Sequence, residues 1–292
     1  TEAARIRERA RSFRVEFKRH GQPPQWSLVQ LEVATPLADL RSRGVRVVGT
    51  DADAPLTYRE ADLRRPLALV VGSEGRGVAP GDWVAYAAPQ AGAYAQERVI
   101  AAERLVRIPD GVSDRLAAAA MLKGLTARYL LRRTYRVRKG DTVVVHAAAG
   151  GVGLILAQWA RHLGARVIGV VGSEAKAAVA REHGCHHALL LGRDDLAARV
   201  RELSGGPGAH VVYDSVGKDT FAASLDSLRP LGMMVSYGNA SGPVPPFAPL
   251  ELARRGSLFL TRPTLFHYIA RRAELERAAR ELFEVIGRGA VR

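Results

Sequence analysis

From residue 142 onward the chain alternates between two hydrophobic patterns. Short apolar runs, such as Thr-Val-Val-Val-His at 142–146 and Arg-Val-Ile-Gly-Val-Val at 166–171, are each followed by a longer stretch with apolar residues at helical spacing. The pattern predicts strands over 142–146, 166–171, 188–191, 211–214 and 233–237. It predicts helices between them over 152–163, 174–183, 194–203 and 220–228. Runs this continuously apolar suit strands covered by helices on both faces. The predicted class is therefore α/β, a Rossmann-type doubly wound parallel sheet built from βαβ units. A further strand is expected over 257–260 and a long helix over 270–286.

Upstream the pattern is less regular. Residues 1–20 read as an Arg-rich amphipathic helix marked by Ile6, Phe13 and Phe17, broken by Gly21-Gln22-Pro23-Pro24. Short apolar runs predict strands over 28–33, 45–49, 67–71, 83–88 and 95–101. Ser113 is placed to cap a helix through the following Ala-rich stretch, and a second helix is expected over 124–135.

Composition narrows the class. Of 292 residues, 47% are hydrophobic and 25% charged, an ordinary globular balance that excludes a mainly disordered or collagen-like chain. No apolar run approaches the ~20 residues of a membrane span, and the charged opening stretch predicts no secretory leader. A cytoplasmic protein is expected. Cys185 is the one cysteine, so an internal disulfide and the two- and four-cysteine structural zinc sites are excluded. The net charge of +14 comes from 43 basic residues, of which 38 are Arg. This excess is spread along the chain, not gathered into a stripe, which disfavours nucleic acid as a partner.

The glycine turn after the strand at 142–146 carries the chemistry. Ala148, Gly150 and Gly153 hold the spacing of a G-x-G-x-x-G turn, between a predicted strand and helix. At Gly150 the backbone can approach a pyrophosphate, and Gly153 lets the helix pack close to the strand. The free N–H groups and positive pole of the helix N-terminus attract phosphate. The alternative is an ordinary tight βα turn. The next strand ends Val170-Val171-Gly172-Ser173 without the acid that usually holds the ribose of NAD. Ser173 and Lys176 instead suit a 2′-phosphate, with Glu174 between them pulling the other way; NADPH is favoured as cofactor.

Residues 79–292 resemble the zinc-free, zeta-crystallin-like quinone oxidoreductases of the medium-chain dehydrogenase/reductase superfamily. The matching words are Met121–Ala127, Val145–Gly153, Val212–Gly217, Tyr237–Gly242 and Gly256–Pro263, in the family's order. The resemblance implies hydride transfer from NADPH to a quinone or other conjugated carbonyl, without a catalytic metal. It implies that Thr126 lies near the nicotinamide and that Ala149, Gly150, Gly151, Val152 and Gly153 cradle the pyrophosphate. It gives the 2′-phosphate to Ser173 and Lys176, and the nicotinamide end to Val216, Gly238, Asn239, Phe259 and Thr261. Leu191 departs from the pattern, since a close relative offers an aromatic hydroxyl there. The family also implies a homodimer formed through the cofactor domain.

The domain organisation expected from this is an α/β fragment over 1–78, a remnant of a GroES-like β domain over 79–111, the Rossmann domain over 112–263 and a shortened helical segment over 264–292. The Asn- and Tyr-containing stretch of the family's first domain is not recognisable. Residues 37–78 resemble instead part of a SPOUT-class 2′-O-ribose RNA methyltransferase, through Leu37–Asp53 and Pro66–Val78. The word Gly-Ser-Glu-Gly-x-Gly-Val at 72–78 resembles the reductases' first domain as well. A chimera and a diverged first domain are the two readings. The family's last methyltransferase motif is missing, so the segment is not expected to methylate alone.

Other candidates are weaker. His183, Cys185, His186 and His187 are metal-ligand types, but so close together that a tetrahedral site is disfavoured. His146 reads as a structural hydrogen-bonder. Tyr129, Tyr135 and His267 read as packing residues more than substrate contacts. The Arg run at 5–19 reads as a solvated face more than an RNA contact. Three functions stay open: an NADPH-dependent reductase, a non-catalytic NADPH-binding fragment, and an RNA-binding protein derived from a methyltransferase.

Overall fold

The computed structural model describes residues 13–17, 25–29, 82–87 and 100–292. The chain divides into two units, Thr1–Ile108 and Pro109–Arg292. In the first, strands β1 (Phe13–Phe17) and β2 (Gln25–Val29) pair antiparallel, Phe13 opposite Val29 and Phe17 opposite Gln25. This corrects the helix expected over 1–20. Phe13, Val15 and Phe17 alternate with Arg14 and Glu16, a period of two, and the Gly-Gln-Pro-Pro stretch between the strands is turn chemistry. Strands β3 (Val84–Tyr86) and β4 (Leu105–Arg107) form a second antiparallel pair, with Ala85 opposite Val106. The strand expected over 95–101 lies outside the described residues up to 99, and residues 100 and 101 are not in a strand. The strands expected over 45–49 and 67–71, and the whole of 37–78, also lie outside the described residues.

The second unit is built on six parallel strands. They are β5 (Thr142–His146), β6 (Arg166–Val171), β7 (His187–Leu190), β8 (Ala209–Asp214), β9 (Leu228–Ser236) and β10 (Phe259–Thr261). Their order is β7-β6-β5-β8-β9-β10. Counted from β5, this is the 3-2-1-4-5-6 order of the dinucleotide-binding fold, and the direction of winding reverses between β5 and β8. Every residue of β5 is buried, as its unbroken apolar run requires of a central strand.

The helices are α1 (Asp114–Tyr129), α2 (Gly151–His162), α3 (Glu174–Glu182), α4 (Leu196–Ser204), α5 (Phe221–Asp226), α6 (Leu250–Arg254), α7 (Leu265–Tyr268) and α8 (Arg272–Gly287). Three starts are capped by side chains. Ser113 Oγ accepts from Leu116 N, Ser173 Oγ from Lys176 N and Asp195 Oδ1 from Ala198 N.

One apolar layer joins Val144, Ile168, Val212 and Met234 of the sheet to Val200 of α4 and Leu225 of α5. Each such side chain contributes about 1.5–3 kcal/mol on burial. From the sheet Tyr213 also sends its hydroxyl to the carbonyl of Leu130, just past α1, at 3.0 Å.

Three local expectations are corrected. The two helices expected on either side of residue 124 are one helix, α1, continued by a single π turn over Leu130–Thr134. Gly124 does not break it. A Cβ there would lie 2.4 Å from Leu282 Cδ1 of α8, so the glycine serves close helix packing. The helix expected over 220–228 stops at Asp226, and β9 begins at Leu228 instead of 233. The β8–β9 register is irregular there, Ala209 facing Leu228 and Val211 facing Met233, with Leu231 at a φ of 60°. Two strand stretches flank this irregularity, and the local pattern marks only the second.

Candidate functional site

The turn between β5 and α2 is built by its own backbone. Ala147 takes a φ of 49°, Gly150 N donates to Ala147 O at 2.8 Å, and Ala148 N donates to Val170 O at 3.2 Å. A Cβ at Gly153 would lie 2.3 Å from Ala147 O, so only glycine lets α2 start this close to the turn. The N-cap of α2, Gly150, offers no side-chain hydrogen bond, and the first turn holds no acid. The first N–H groups of a helix have no partner inside it, so α2 presents uncapped donors and the positive end of its dipole to whatever sits over the turn.

A cavity of about 240 Å³ opens there, at the C-terminal ends of β5, β6, β7 and β8. Ala149, Gly150, Lys176, Leu191 and Val216 line it, together with His146. Three expected cofactor contacts on separate segments, the glycine turn, Lys176 and Val216, thus share one cavity at the point where the winding reverses. Ser173, next in the chain to the lining residue Gly172, caps α3, and Leu191 lines the cavity where an aromatic hydroxyl was the family's expectation. Glu174 is held by Arg193 at 2.9 Å, and both are exposed. Its charge is therefore balanced locally.

The remaining expected residues lie apart. Thr126, on α1, donates its hydroxyl to Leu122 O at 2.8 Å. Gly238 lies against the backbone of Ser215, where a Cβ would come 2.5 Å from the carbonyl oxygen. Asn239 lines a second, largely apolar cavity of about 530 Å³ with Leu260, Arg262 and the Pro-rich loop 243–247. Phe259 and Thr261 flank Leu260 on β10, and Phe259 is 56% exposed.

A buried polar network fastens the two sides of the reversal. Asp214, at the tip of β8, accepts from Val216 N (2.7 Å) and Gly217 N (3.1 Å) with one oxygen. Its other oxygen accepts from Thr220 Oγ1 (2.7 Å) and Ser224 Oγ (3.0 Å). Ser224 Oγ is also 2.9 Å from His146 Nε2, at the tip of β5. Since the Ser224 proton goes to the carboxylate, His146 donates from Nε2, and its buried Nδ1 keeps a free lone pair. Burial holds His146 below the usual imidazole range, against the raising effect of Asp214. His146 is therefore the neutral structural hydrogen-bonder expected. The role of Asp214 was not foreseen; its signal is a carboxylate two residues before the loop N–H it accepts, the spacing of an Asx turn.

The weaker candidates fall elsewhere. Tyr129 stacks on Tyr268, with ring centroids 4.5 Å apart, and burial raises its pKa first, then Tyr237 and Tyr268. Tyr135 donates to Asp141 Oδ2 at 3.3 Å. His186 Nδ1 accepts from Val167 N and His183 Nδ1 is 2.9 Å from Val179 O. Among the described residues, no three His, Cys, Asp or Glu side chains gather as metal ligands. No helix among them is long and apolar enough to cross a membrane.

Comparison with known proteins follows the same lines. A family described as zinc-binding dehydrogenase matches residues 151–284. The 2-haloacrylate reductase of a Burkholderia species is 47% identical over 252 residues, which cover 80% of this chain and 76% of that protein. The quinone oxidoreductase of Salmonella typhimurium is 42% identical over 290 residues, covering 96% of this chain and 89% of that one. The solved quinone oxidoreductase of Escherichia coli, complexed with NADPH, matches with a TM-score of 0.73 and 45% identity, over 76% of this chain and 68% of that one. This chain spans about two thirds of the length of the solved reductases it matches.

The expected methyltransferase segment at 37–78 finds no support. An alignment with a quinone oxidoreductase that takes in 96% of the chain runs through most of it. Matched at this identity over most of a curated relative's length, the chain belongs to the quinone oxidoreductases of the medium-chain dehydrogenase/reductase superfamily.

Proposed function

We propose that this chain is an NADPH-dependent reductase that passes a hydride to a quinone or other conjugated carbonyl without a catalytic metal. The carrying observation is the cavity at the winding reversal, where the uncapped α2 turn, Lys176 and Val216 meet. The residues fit the cofactor. Gly153 lets α2 start close against the turn, and its uncapped N–H groups face the place a pyrophosphate takes. In this reading Ala149, Gly150, Gly151, Val152 and Gly153 hold the pyrophosphate, while Ser173 and Lys176 hold the 2′-phosphate. Thr126, Val216, Gly238, Asn239, Phe259 and Thr261 define the nicotinamide end. When bound, the reduced nicotinamide supplies the hydride; the protein positions it and excludes water.

The balance of Glu174 by Arg193 supports NADPH over NADH, as does a solved relative that carries NADPH. Relatives named quinone oxidoreductase and 2-haloacrylate reductase support an electron-poor, conjugated acceptor. A reaction without a metal is supported by the donor set, since among the described residues no three His, Cys, Asp or Glu side chains gather as ligands. The position of β10 as an edge strand among the described residues, with Phe259 exposed, supports a homodimer.

Fluorescence titration with NADPH, with NADH and S-adenosylmethionine as comparison ligands, tests the cofactor. The expected result is saturable NADPH binding, weaker NADH binding and none of the methyl donor. NADPH oxidation with a panel of quinones then tests turnover, and binding without any turnover would reduce the chain to a cofactor-binding protein.

A further inference from the structure

We propose that Lys123 is a cofactor-binding residue that neutralises the pyrophosphate from the neighbouring helix; this rests on the dinucleotide reading above. Lys123 belongs to α1, not to the glycine turn, yet its side chain lies directly on the first residue of α2. A Cβ at Gly151 would come 2.8 Å from Cδ and Cε of Lys123 and 3.3 Å from Nζ. The absent side chain at Gly151 therefore makes room for a lysine stem, a role distinct from the close backbone packing that Gly153 serves.

The electrostatics of this placement are unfavourable on their own. A helix N-terminus repels a cation, because its free N–H groups carry the positive end of the dipole. No acid sits in the first turn of α2, and no side chain caps it. Among the described residues Lys123 makes no ion pair, and its side chain is exposed. Two positive features thus face each other with no local anion between them. A diphosphate over the turn resolves both at once, accepting N–H hydrogen bonds from α2 and a charge-assisted one from Nζ. Lys176, by contrast, stands on α3 across the cavity, beyond the end of β6 where an adenosine ribose is held in this fold. The two lysines then read different phosphates of one cofactor.

The test uses the full chain, with NADPH and adenosine 2′-monophosphate as ligands, the second carrying a 2′-phosphate but no pyrophosphate. Lys123→Met is expected to weaken NADPH roughly tenfold, the size of one charge-assisted hydrogen bond. The same variant is expected to leave displacement by adenosine 2′-monophosphate unchanged. Lys176→Met is expected to weaken both ligands, and Lys123→Arg to restore most of the NADPH affinity. NADPH binding by Lys123→Met within twofold of the parent protein would overturn the assignment. Equal loss of both ligands in Lys123→Met would also overturn it, by moving the residue to the 2′-phosphate. If the parent protein binds neither ligand, the dinucleotide reading itself falls and takes this one with it. Lys123 is exposed, so its variants are expected to melt with the parent, and a match in thermal midpoint shows that a lost affinity is local.

Discussion

Asp214 shows how one buried side chain can shape a cleft it does not enter. Its carboxylate is fully buried with no ion-pair partner among the described residues, and four donors satisfy it: two loop N–H groups and two hydroxyls. Through Ser224 it also reaches His146 on the other side of the reversal. Asp214→Asn keeps the shape but turns one acceptor into a donor facing two hydroxyls. The expected loss is about 1–3 kcal/mol, read as a lower urea midpoint at an unchanged slope. An unchanged midpoint would mean that the hydroxyls simply reverse and that the charge is unimportant. The residue and its spacing to Val216 are visible in the sequence. Its four donors are not, because Thr220 and Ser224 reach it only once α5 has folded back.

At the scale of elements, the contact between α1 and α8 is the joint most exposed to small changes. Gly124 leaves space that Leu282 fills, and one turn along Arg128 forms a two-pronged pair with Glu281 at 2.9 and 2.8 Å. Isolated helix propensity favours Ala over Gly by about 1 kcal/mol, but packing opposes it here. A methyl at 124 would lie 2.4 and 2.6 Å from the two Leu282 methyls, inside a buried contact. Gly124→Ala is therefore expected to destabilise by about 1–3 kcal/mol. The double variant with Leu282→Ala should lose less than the sum of the single losses, since the second change opens the space the first one needs. Thermal melts of the four proteins read the coupling, and strict additivity would count against the contact. Local pattern alone placed a helix break at Gly124, because a glycine that ends a helix and one that admits a neighbour look alike without the neighbour.

For the molecule as a whole, the protonation balance points in one direction. Burial holds His186 and His210 below the ordinary imidazole range, with nearby arginines adding to it and Asp141, 3.5 Å from His210 Nε2, partly opposing it at that ring. Each ring accepts a strand N–H at Nδ1, from Val167 and Thr142 respectively, both at 3.0 Å. These bonds require the unprotonated nitrogen. The unfolded chain then binds protons that the folded one resists. The contribution of these rings is full above the unfolded value of about 6.5 and falls as pH drops below it. The Arg128 hydrogen bond, opposed by burial, lowers Glu281 below its usual value; this contribution is present above the unfolded carboxylate value and is lost as pH falls further. Both sets add, so the thermal midpoint is expected to fall steadily from pH 7 to pH 4. His210→Gln should flatten the upper part of that fall, and a parallel profile for the variant would remove this ring as a cause.

The sequence by itself determined what depends on neighbours along the chain. The alternation of β5 to β8 with their helices, the Ser113 cap, and the glycine turn with its strand–turn–helix setting are local patterns, because each is written in side-chain period or backbone freedom within a few residues. The tertiary structure alone decided what depends on neighbours in space. The order of strands brings Val216 and Ala149 to one cavity. Gly151 proves to be a seat for Lys123. The first part of β9 pairs across an irregular register, and Phe13–Phe17 becomes a strand by finding Gln25–Val29. Apolar period names a face to be buried but not the partner that buries it; that choice is made by the whole chain packing at once.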